Sequence, residues 1–451
     1  MHKKQKSNVW KLLLGVMAAV MIVCTVTGCL TGREGDKEEK EEIIPETIPV
    51  IIADKVIAGT SYKVKTAVYI EVNDHNPLNA GDYVLEDGTL LFDYVILFAA
   101  NIRSRDCALE TDAAHGCTES GPHVHFNENI RHLLENREKY IVPLQEKGIK
   151  VLLSLLGDHD GIGFGTMNAD DRAIFIADLK KDVEYYELDG VDFDDEWASK
   201  EDWGNWQDEY TVVAPDSIWT YPVSEWGWPF SGEVYRDPSK DIVAGNGILG
   251  PAPSEEQMDA MWKASGALYH PLITETRAAL GPNKIVSLYE YNSGRYITPE
   301  GQSNDGLTFA SLDSAVSIVQ QPWYGRYLDD SANGLGRSKY SPFGMDVGGN
   351  GAYQGGTPLP PIVVNGDEQA TGTIYDYSTR FKTAATSGNP YGMLFFYNLT
   401  PASSLLKHDK DEAEPSVSQS AYISMMTQIV FGQKCVLTNA AAGDYRKDWG
   451  N

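Results

Sequence analysis

The sequence predicts an α/β protein with a single (β/α)8 TIM barrel, some of whose helices are irregular or missing. Its 451 residues are enough for one large barrel. Short apolar runs recur along the chain without polar alternation, which is typical of parallel strands covered on both faces. Helical patterns separate several of these runs. The candidate strands span residues 66–72, 92–100, 149–157, 188–196, 284–290, 315–323, 343–349 and 391–398.

Two helical patterns support this assignment. Between the second and third strands, one helical face carries Ile130, Leu133, Leu134, Ile141 and Leu144. Gly148 supplies the stop at the end of this segment. Ser254 and Gln257 form a capping box for a helix before the fifth strand. A doubly wound open sheet is the alternative fold, but no glycine-rich phosphate loop follows the first strand. The GIGFG run at 161–165 is interpreted as a flexible loop.

The N-terminus predicts export. Residues 1–28 join a basic start to a short apolar run and end before Cys29, as bacterial lipoprotein signals do. Cys29 would then carry the lipid. The alternative is an uncleaved membrane anchor, which the short apolar run disfavours because a spanning helix needs about 20 residues. Both readings place the protein in the cell envelope, on the extracytoplasmic side of a membrane.

Four segments follow from this pattern. A signal at 1–28 precedes a flexible acidic tether at 29–62, a barrel domain at 63–440 and a C-terminal tail at 441–451. The formal charge of −27 makes nucleic acid an unsuitable partner, since phosphates would be repelled. Within the barrel, an insertion at about 197–254 is rich in indoles, which either stack on sugar rings or pack the loop. These are Trp203, Trp206, Trp219, Trp226 and Trp228.

The remaining cysteines and a histidine pair have simple interpretations. Cys107 and Cys117 close a short polar loop, and export makes a disulfide between them plausible. Cys435 is expected to be a buried apolar residue. His123 and His125 suggest zinc, but no second pair stands at ligand spacing. We therefore expect no metal and no cofactor.

The stretch LDGVDFDDEW, residues 188–197, concentrates acidic residues at the end of a predicted strand. Residues two apart on a strand share a face and lie roughly 6.6 to 7 Å apart, so Asp192, Asp194 and Glu196 line up. Catalytic groups of barrels stand at the C-terminal ends of strands. Stacked carboxylates raise one pKa, and a protonated Glu196 beside an ionised Asp194 is a general acid with a helper. A calcium or magnesium loop and a solvated acidic turn are the alternatives.

DGVDFDDE matches the DxxDxDxE signature of glycoside hydrolase family 18, and its DFDDE form resembles the endo-β-N-acetylglucosaminidase branch. The similarity continues through FDYVILFAANI, HFNENI, GIKVLLSLLGDHDGIGF, VSLY, QPWYG and YGMLFFYNL, in order. The resemblance covers most of residues 66–435. It implies a TIM barrel that hydrolyses the bond between the two core N-acetylglucosamine (GlcNAc) residues of N-glycans.

The resemblance also implies a substrate-assisted retaining mechanism, an exception to the two-carboxylate scheme of glycosidases. Glu196 would protonate the glycosidic oxygen and then act as the base toward water. Asp194 would orient the 2-acetamido group, whose carbonyl oxygen attacks the anomeric carbon. Asp192 would share a proton or hydrogen bond with Asp194 and tune it.

Five further residues match positions that contact the sugar in the family. Gln321 fits the amide that holds the acetamido carbonyl, and Trp323 occupies a place where relatives often carry tyrosine, for which Tyr324 is the candidate substitute. Tyr289 and Tyr397 match aromatic positions below and beside the sugar. Their alternative role is that of ordinary core tyrosines.

Two other functions remain compatible with the sequence. A chitinase would keep the same acids, and a glycan-binding surface lipoprotein would keep the barrel without turnover. The presence of both Asp194 and Glu196 disfavours the binding protein, which has no need of the acid. The predicted partners are therefore N-glycans and, through the lipid, a membrane, and the predicted state is a monomer.

Overall fold

The fold is described from a computed structural model of the chain. It describes residues 48–105, 121–156, 163–165, 167–194, 230–231, 234–237, 242–245, 248–249, 255–289, 310–320, 335–342, 344–347, 362–364, 367–369, 374–406, 417–439 and 442–450.

The central element is a curled sheet whose main path contains nine strands, all parallel to their neighbours. Its order is β7-β6-β5-β4-β3-β2-β1-β9-β8. The strands are β1 (Lys63–Glu71), β2 (Tyr94–Arg105), β3 (Lys150–Leu156), β4 (Gly190–Asp194), β5 (Ile285–Tyr289), β6 (Ile318–Gln320), β7 (Tyr340–Ser341), β8 (Gly344–Asp346) and β9 (Met393–Tyr397). A strand occurs within each of the eight predicted runs, the seventh being β8, whereas β7 lies just before the predicted seventh run and was not predicted.

The sheet is curled, since side chains from strands that are far apart in the sheet order meet inside it. Strands β1 and β5 are four steps apart, which is about 19 Å on a flat sheet. The rings of Tyr69 and Tyr289 nevertheless have centroids 5.6 Å apart. The two end strands of the path, β7 and β8, are separated in sequence only by residues 342 and 343.

Strand β2 extends beyond the sheet as one arm of a hairpin. Gly121–His125 pairs with it antiparallel. On the other side β2 pairs with β3, where the register shifts between Leu97 and Ala100. The peptide bond between Phe98 and Ala99 lies in this shift and is cis.

Seven helices occur in the described residues. They are α1 (Glu128–Glu135), α2 (Arg137–Tyr140), α3 (Val142–Glu146), α4 (Ala169–Tyr185), α5 (Glu255–Leu280), α6 (Ile374–Thr386) and α7 (Gln419–Phe431). Short 3₁₀ turns lie at Pro77–Asp82, Ala310–Leu312 and Arg337–Lys339.

The helical segment after β2 differs from the single helix that its periodicity predicts. It is divided into α1, α2 and α3, because the chain leaves helical geometry at Asn136 and Pro143 opens α3 without a backbone donor. The predicted apolar face is nevertheless confirmed, since its residues are at most 1% exposed. Gly148 has φ +89°, as a helix stop requires.

Two hydrophobic clusters lie on the two faces of the sheet. The larger one joins the outer face to the helices, and the smaller one fills the inside of the curl. The inner cluster consists of Ala67, Tyr69, Ile96, Leu152, Tyr289, Ile318, Met393, Phe395 and Tyr397. Alternate residues of each strand therefore face opposite clusters.

The described ends of the domain pack against the same core. Lys55 is 2% exposed and contacts Asp93 at 2.7 Å. Lys55–Val56 also pairs with β1, although these residues belong to the predicted tether. At the other end, Trp449 is 5% exposed and stacks on His132. The predicted division at 62/63 and 440/441 stays a prediction.

Several smaller elements complete the described chain. Within the predicted insertion, two short ladders form a nested antiparallel arrangement. Its strands are Phe230–Ser231, Val234–Asp237, Ile242–Gly245 and Ile248–Leu249. Other short pairs are Ile362–Val364 with Asp367–Gln369, Leu405–Leu406 with Val417–Ser418, and Tyr83–Leu85 with Cys435–Leu437. In the part of the chain that is described, no helix is long and apolar enough to cross a membrane.

Candidate active site

The acidic strand β4 sends two carboxylates into the interior of the curled sheet. Asp192 is 0% exposed and Asp194 is 2% exposed. Phe193, between them, faces the outer core, where its ring meets Phe164 with centroids 5.2 Å apart. The predicted alternation is therefore confirmed for the described part of the motif. Glu196 lies outside the described residues.

Strand β4 begins at a glycine because the neighbouring backbone leaves no room for a side chain. A Cβ on Gly190 would collide with the carbonyl oxygen of Ile285 on β5. This close approach holds β4 and β5 in register from Gly190–Ile285 to Asp194–Tyr289. Each buried aspartate therefore has a defined neighbour on β5, Ser287 for Asp192 and Tyr289 for Asp194.

Asp192 sits among hydroxyl groups from three other strands. Ser154 on β3 donates from Oγ to Oδ2 of Asp192 at 2.9 Å, and both residues are 0% exposed. Burial raises the pKa of Asp192 to about 6, while the hydroxyls of Ser287, Ser154 and Tyr69 lower it and limit that rise. Of these three hydroxyls, only that of Ser154 has full hydrogen-bond geometry. Asp192 can consequently exchange a proton near neutral pH.

Tyr69 is the neutral member of this group. Burial raises its pKa well above the usual value, and the charges of Asp192 and Asp194 add to the effect together with Tyr397. The phenol therefore keeps its proton at neutral pH. A buried phenol beside two carboxylates is a hydrogen-bond donor, not a base.

Tyr289 and Tyr397 line the same interior, next to the carboxylates. Their rings and that of Tyr69 form a triangle with centroid distances of 5.5, 5.6 and 6.3 Å. Gly344 is required beside them, since a Cβ there would collide with the ring of Tyr397. The structure thus brings both predicted tyrosines to the site, where they also form its floor.

Gln320 adds an amide to the site. It ends β6, pairs with Tyr289 in the β5–β6 ladder and is 0% exposed. Among the residues that the structure describes, neither Oε1 nor Nε2 of this side chain has a hydrogen-bond partner. A buried carboxamide left without partners costs several kcal/mol, roughly 1–3 for each group. The site therefore contains an amide that can form hydrogen bonds with a further group.

The other site predictions concern residues outside the described ranges. These are Gln321, Trp323, Tyr324, Cys29, Cys107 and Cys117. Cys435 was expected to be a buried apolar residue, and this is confirmed because it is 6% exposed and burial raises its pKa. In the described residues no group of His, Cys, Asp and Glu side chains has metal-binding geometry.

Sequence reasoning missed four residues of the site, namely Tyr69, Ser154 and Ser287 around Asp192, and Gln320, which is level with Asp194 two strands away. A signal for the two serines existed. Each is a single polar residue within a continuous apolar run, in LLSLL and in IVSL. A polar residue at such a position needs a buried partner, and the carboxylate of β4 provides it.

This arrangement defines a class of site. Paired acids at the C-terminal end of a strand inside a parallel α/β sheet stand where barrel enzymes place their catalytic groups. No protein-family model matches the chain.

Two curated relatives have informative names. The chain is 41% identical over 153 residues to endo-β-N-acetylglucosaminidase F1 of Elizabethkingia meningoseptica, covering 34% of this chain and 42% of that protein. It is 27% identical over 368 residues to an endo-β-N-acetylglucosaminidase of Flavobacterium sp. (strain SK1022), covering 81% of this chain and 80% of that one. The first match therefore spans less than half of its relative's length.

Among solved structures, EndoBT-3987 of Bacteroides thetaiotamicron, in complex with a Man9GlcNAc2Asn substrate, has a TM-score of 0.49 and 20% identity. That match covers 87% of this chain and 70% of the other. The curated relatives confirm the resemblance found in the motif. The chain is thus similar to two proteins that are named endo-β-N-acetylglucosaminidases.

Proposed function

We propose that this protein is an endo-β-N-acetylglucosaminidase. Its substrate is the N-glycan of a glycoprotein, and the bond that it hydrolyses is the β-1,4 bond between the two core GlcNAc residues. The names of the two curated relatives support this assignment. So does the DxxDxDxE motif, which ends in Glu196.

One observation supports the proposal most strongly. Asp192 and Asp194 are buried side by side on the inner face of β4, four and two residues before Glu196, respectively. Burying two carboxylates without a cation is costly, and no metal-binding group occurs among the described residues. A site that keeps two buried carboxylates despite this energetic cost is suited to proton transfer and charge stabilisation.

In the proposed mechanism Glu196 donates a proton to the glycosidic oxygen as the bond to the anomeric carbon breaks. The carbonyl oxygen of the substrate's own 2-acetamido group attacks that carbon, and Asp194 stabilises the resulting oxazolinium ion. Glu196 then removes a proton from water, which opens the ring with retention. Asp192 adjusts the charge on Asp194, and Gln321 with Trp323 or Tyr324 holds the acetamido group.

The decisive experiment is glycan release from a mixed glycoprotein substrate, analysed by mass spectrometry. We expect free glycans that end in a single GlcNAc, with the other GlcNAc left on asparagine. Chitin oligomers provide the comparison, because a chitinase would digest them in preference. Measurable glycan affinity without release would instead indicate a binding protein.

Glu196→Gln should abolish release and keep glycan binding, because only proton donation is lost. Glu187→Gln is the matched control, since its carboxylate is 68% exposed in an ion pair with Arg137 and lies away from the inner face. Near-normal turnover by Glu196→Gln would refute its assigned role.

The finer architecture is part of the proposal. A closed (β/α)8 barrel is favoured because β7 and β8, the two ends of the sheet path, are consecutive in sequence. The rings that meet across the interior favour the same arrangement. In such a barrel β7 and β8 would together form the seventh strand.

The location is proposed from the sequence. Lipid on Cys29 would hold a monomeric enzyme outside the cytoplasmic membrane, where glycoproteins are accessible. Incorporation of a labelled fatty acid into the protein, and its loss in Cys29→Ser, would test the anchor. A disulfide between Cys107 and Cys117 remains a prediction, and thiol labelling before and after reduction would test it.

A further inference from the structure

The edge of the sheet at which the strands begin carries a cluster of exposed apolar side chains. These are Ile51, Ile52, Val56 and Tyr62, with exposures of 44, 70, 42 and 37%. They are four of the seven large hydrophobic side chains that are exposed in the described part of the chain. We call these four residues the apolar edge. Apolar side chains that are grouped on a surface, unlike scattered ones, indicate a site of interaction.

Contacts with the first residues of two strands define the position of the apolar edge. Val56 is paired with Lys63, the first residue of β1. Ile52 lies against Gly148, since a Cβ on that glycine would stand 2.6 Å from Cδ1 of Ile52. Gly148 comes two residues before the start of β3. The apolar edge therefore covers the starts of β1 and β3.

The buried carboxylates lie at the opposite edge of the sheet. Strand β1 runs for nine residues from Lys63 to Glu71, so its two ends are about 26 Å apart. Asp194 is the last residue of β4, which has the same direction as β1 through β2 and β3. A surface that covers the apolar edge consequently leaves the carboxylate end of the sheet open to a large glycoprotein.

The charges beside the apolar edge are nearly balanced. Carboxylates next to the starts of β1, β2 and β4 each contact a lysine. The pairs are Lys63–Asp54, Lys55–Asp93 and Lys150–Asp189, with N–O distances of 2.6, 2.7 and 2.9 Å. Lys65 adds a cation between the first two pairs, and Glu86 and Asp87 add two carboxylates. These four lysines and five carboxylates are closer to balance than the 37 basic and 64 acidic residues of the whole chain. An anionic surface is therefore repelled least at this edge.

The chain that leads to the predicted lipid joins the domain just before the apolar edge. Nineteen residues connect Cys29 to Ile48, the first described residue, and they can span at most about 65 Å. A tether of that length lets the domain rotate, so the anchor by itself does not determine which face meets the membrane. The surface of the domain has to determine it.

We propose that the apolar edge rests on the surface of the lipid bilayer and directs the carboxylate end of the sheet away from it. The apolar side chains enter the headgroup layer, and the neighbouring lysines contact lipid phosphates. The anchor supplies this bilayer at a high local concentration, which favours lipid over a protein partner. The proposal rests on the proposed location of the protein and is independent of its activity.

The test measures how accessible Tyr62 is to hydroxyl radicals, which oxidise exposed side chains and leave products that mass spectrometry quantifies. Lipidated protein in vesicles of phosphatidylethanolamine and phosphatidylglycerol with saturated chains is compared with Cys29→Ser in solution. Oxidation of Tyr62 should fall by about threefold or more in the vesicles, because the ring enters the headgroup layer. Tyr445, which is 44% exposed and lies outside the apolar edge, is the internal reference and should keep its rate.

A double variant shows whether the apolar edge causes this protection. Ile52→Asp combined with Val56→Asp should abolish the threefold protection of Tyr62 in vesicles, because buried carboxylates oppose insertion into lipid. Both positions are exposed, so the variant should keep the melting temperature of the wild type. Met425→Asp, at a 50% exposed position in the middle of α7, is the matched control and should keep the protection.

Four outcomes would overturn the proposal. They are equal oxidation of Tyr62 in vesicles and in solution, protection that persists in the double variant, equal protection of Tyr445, and protection that appears without vesicles as the protein concentration rises. The last of these would assign the apolar edge to a second copy of the chain. If Cys29 carries no fatty acid, the proposed anchor fails; the same vesicles mixed with unlipidated protein then decide, and unchanged oxidation of Tyr62 refutes the apolar edge. Absence of glycan release would refute the proposed function and leave these oxidation rates unaffected.

Discussion

Replacing Asp192 with asparagine isolates the cost of the buried carboxylate. Its pKa is about 6 in the folded protein against an ordinary value of 3.8, because burial disfavours the charged form. A group whose pKa is raised by folding stabilises the protein fully below its unfolded pKa, and this contribution is lost as the pH rises through the folded pKa. The difference of 6 − 3.8 = 2.2 corresponds to about 3 kcal/mol.

The assay is denaturant unfolding of wild type and Asp192→Asn at a series of pH values, from about one unit below the ordinary pKa of 3.8 to about two units above the folded pKa of about 6. Other acidic groups titrate in both proteins, so their contributions cancel in the difference. We expect the wild-type free energy of unfolding to fall by about 3 kcal/mol relative to Asp192→Asn as the pH rises, with most of the change between about pH 4 and 6. A difference that stays constant across this range would refute the assignment of a raised pKa to Asp192.

Three other substitutions test the surroundings of the site and the core. Ser154→Ala removes a hydrogen-bond donor to the carboxylate and should raise the pKa of Asp192 by about 1–2 pH units. The acidic limb of the profile of rate against pH should then move to higher pH by the same amount. An unmoved limb would contradict this prediction. Gly344→Ala should lower the free energy of unfolding by about 1–3 kcal/mol or more, and the melting temperature by several degrees, because the new methyl group collides with the ring of Tyr397. Unchanged stability would contradict the close approach. Lys55→Met should lower the free energy of unfolding by about 3 kcal/mol, because it leaves the aspartate partner of Lys55 underpaired. Lys63→Met removes an exposed ion pair and should lower it by about 0.5 kcal/mol or less. Equal effects would show that the buried pair stabilises the protein no more than the exposed one.

The strands of the sheet and the acidic motif were predictable because their signals are local. A continuous apolar run marks a strand covered on both faces, whatever the rest of the chain does. Alternation along β4 placed Asp192 and Asp194 on one face and Phe193 on the other, as the structure confirms. The resemblance to a family was carried by the same contiguous residues.

The helix after β2 shows where local signals are insufficient. Its apolar periodicity is correct, but whether the chain forms one helix or three depends on Asn136 and Pro143 within the packed structure. Periodicity determines which side chains are buried. It does not determine whether the backbone is continuous, because a break of one residue can keep the same face inward.

The amino-acid sequence by itself determined the parallel strands, their order along the chain and the carboxylates that end β4. Only the tertiary structure decided that Ser154, Ser287 and Tyr69 surround Asp192 and that Gln320 is level with Asp194. The reason is physical. Side-chain alternation is a property of a few consecutive residues, whereas register, curl and a one-residue shift are set by hydrogen bonds and packing between segments far apart in sequence.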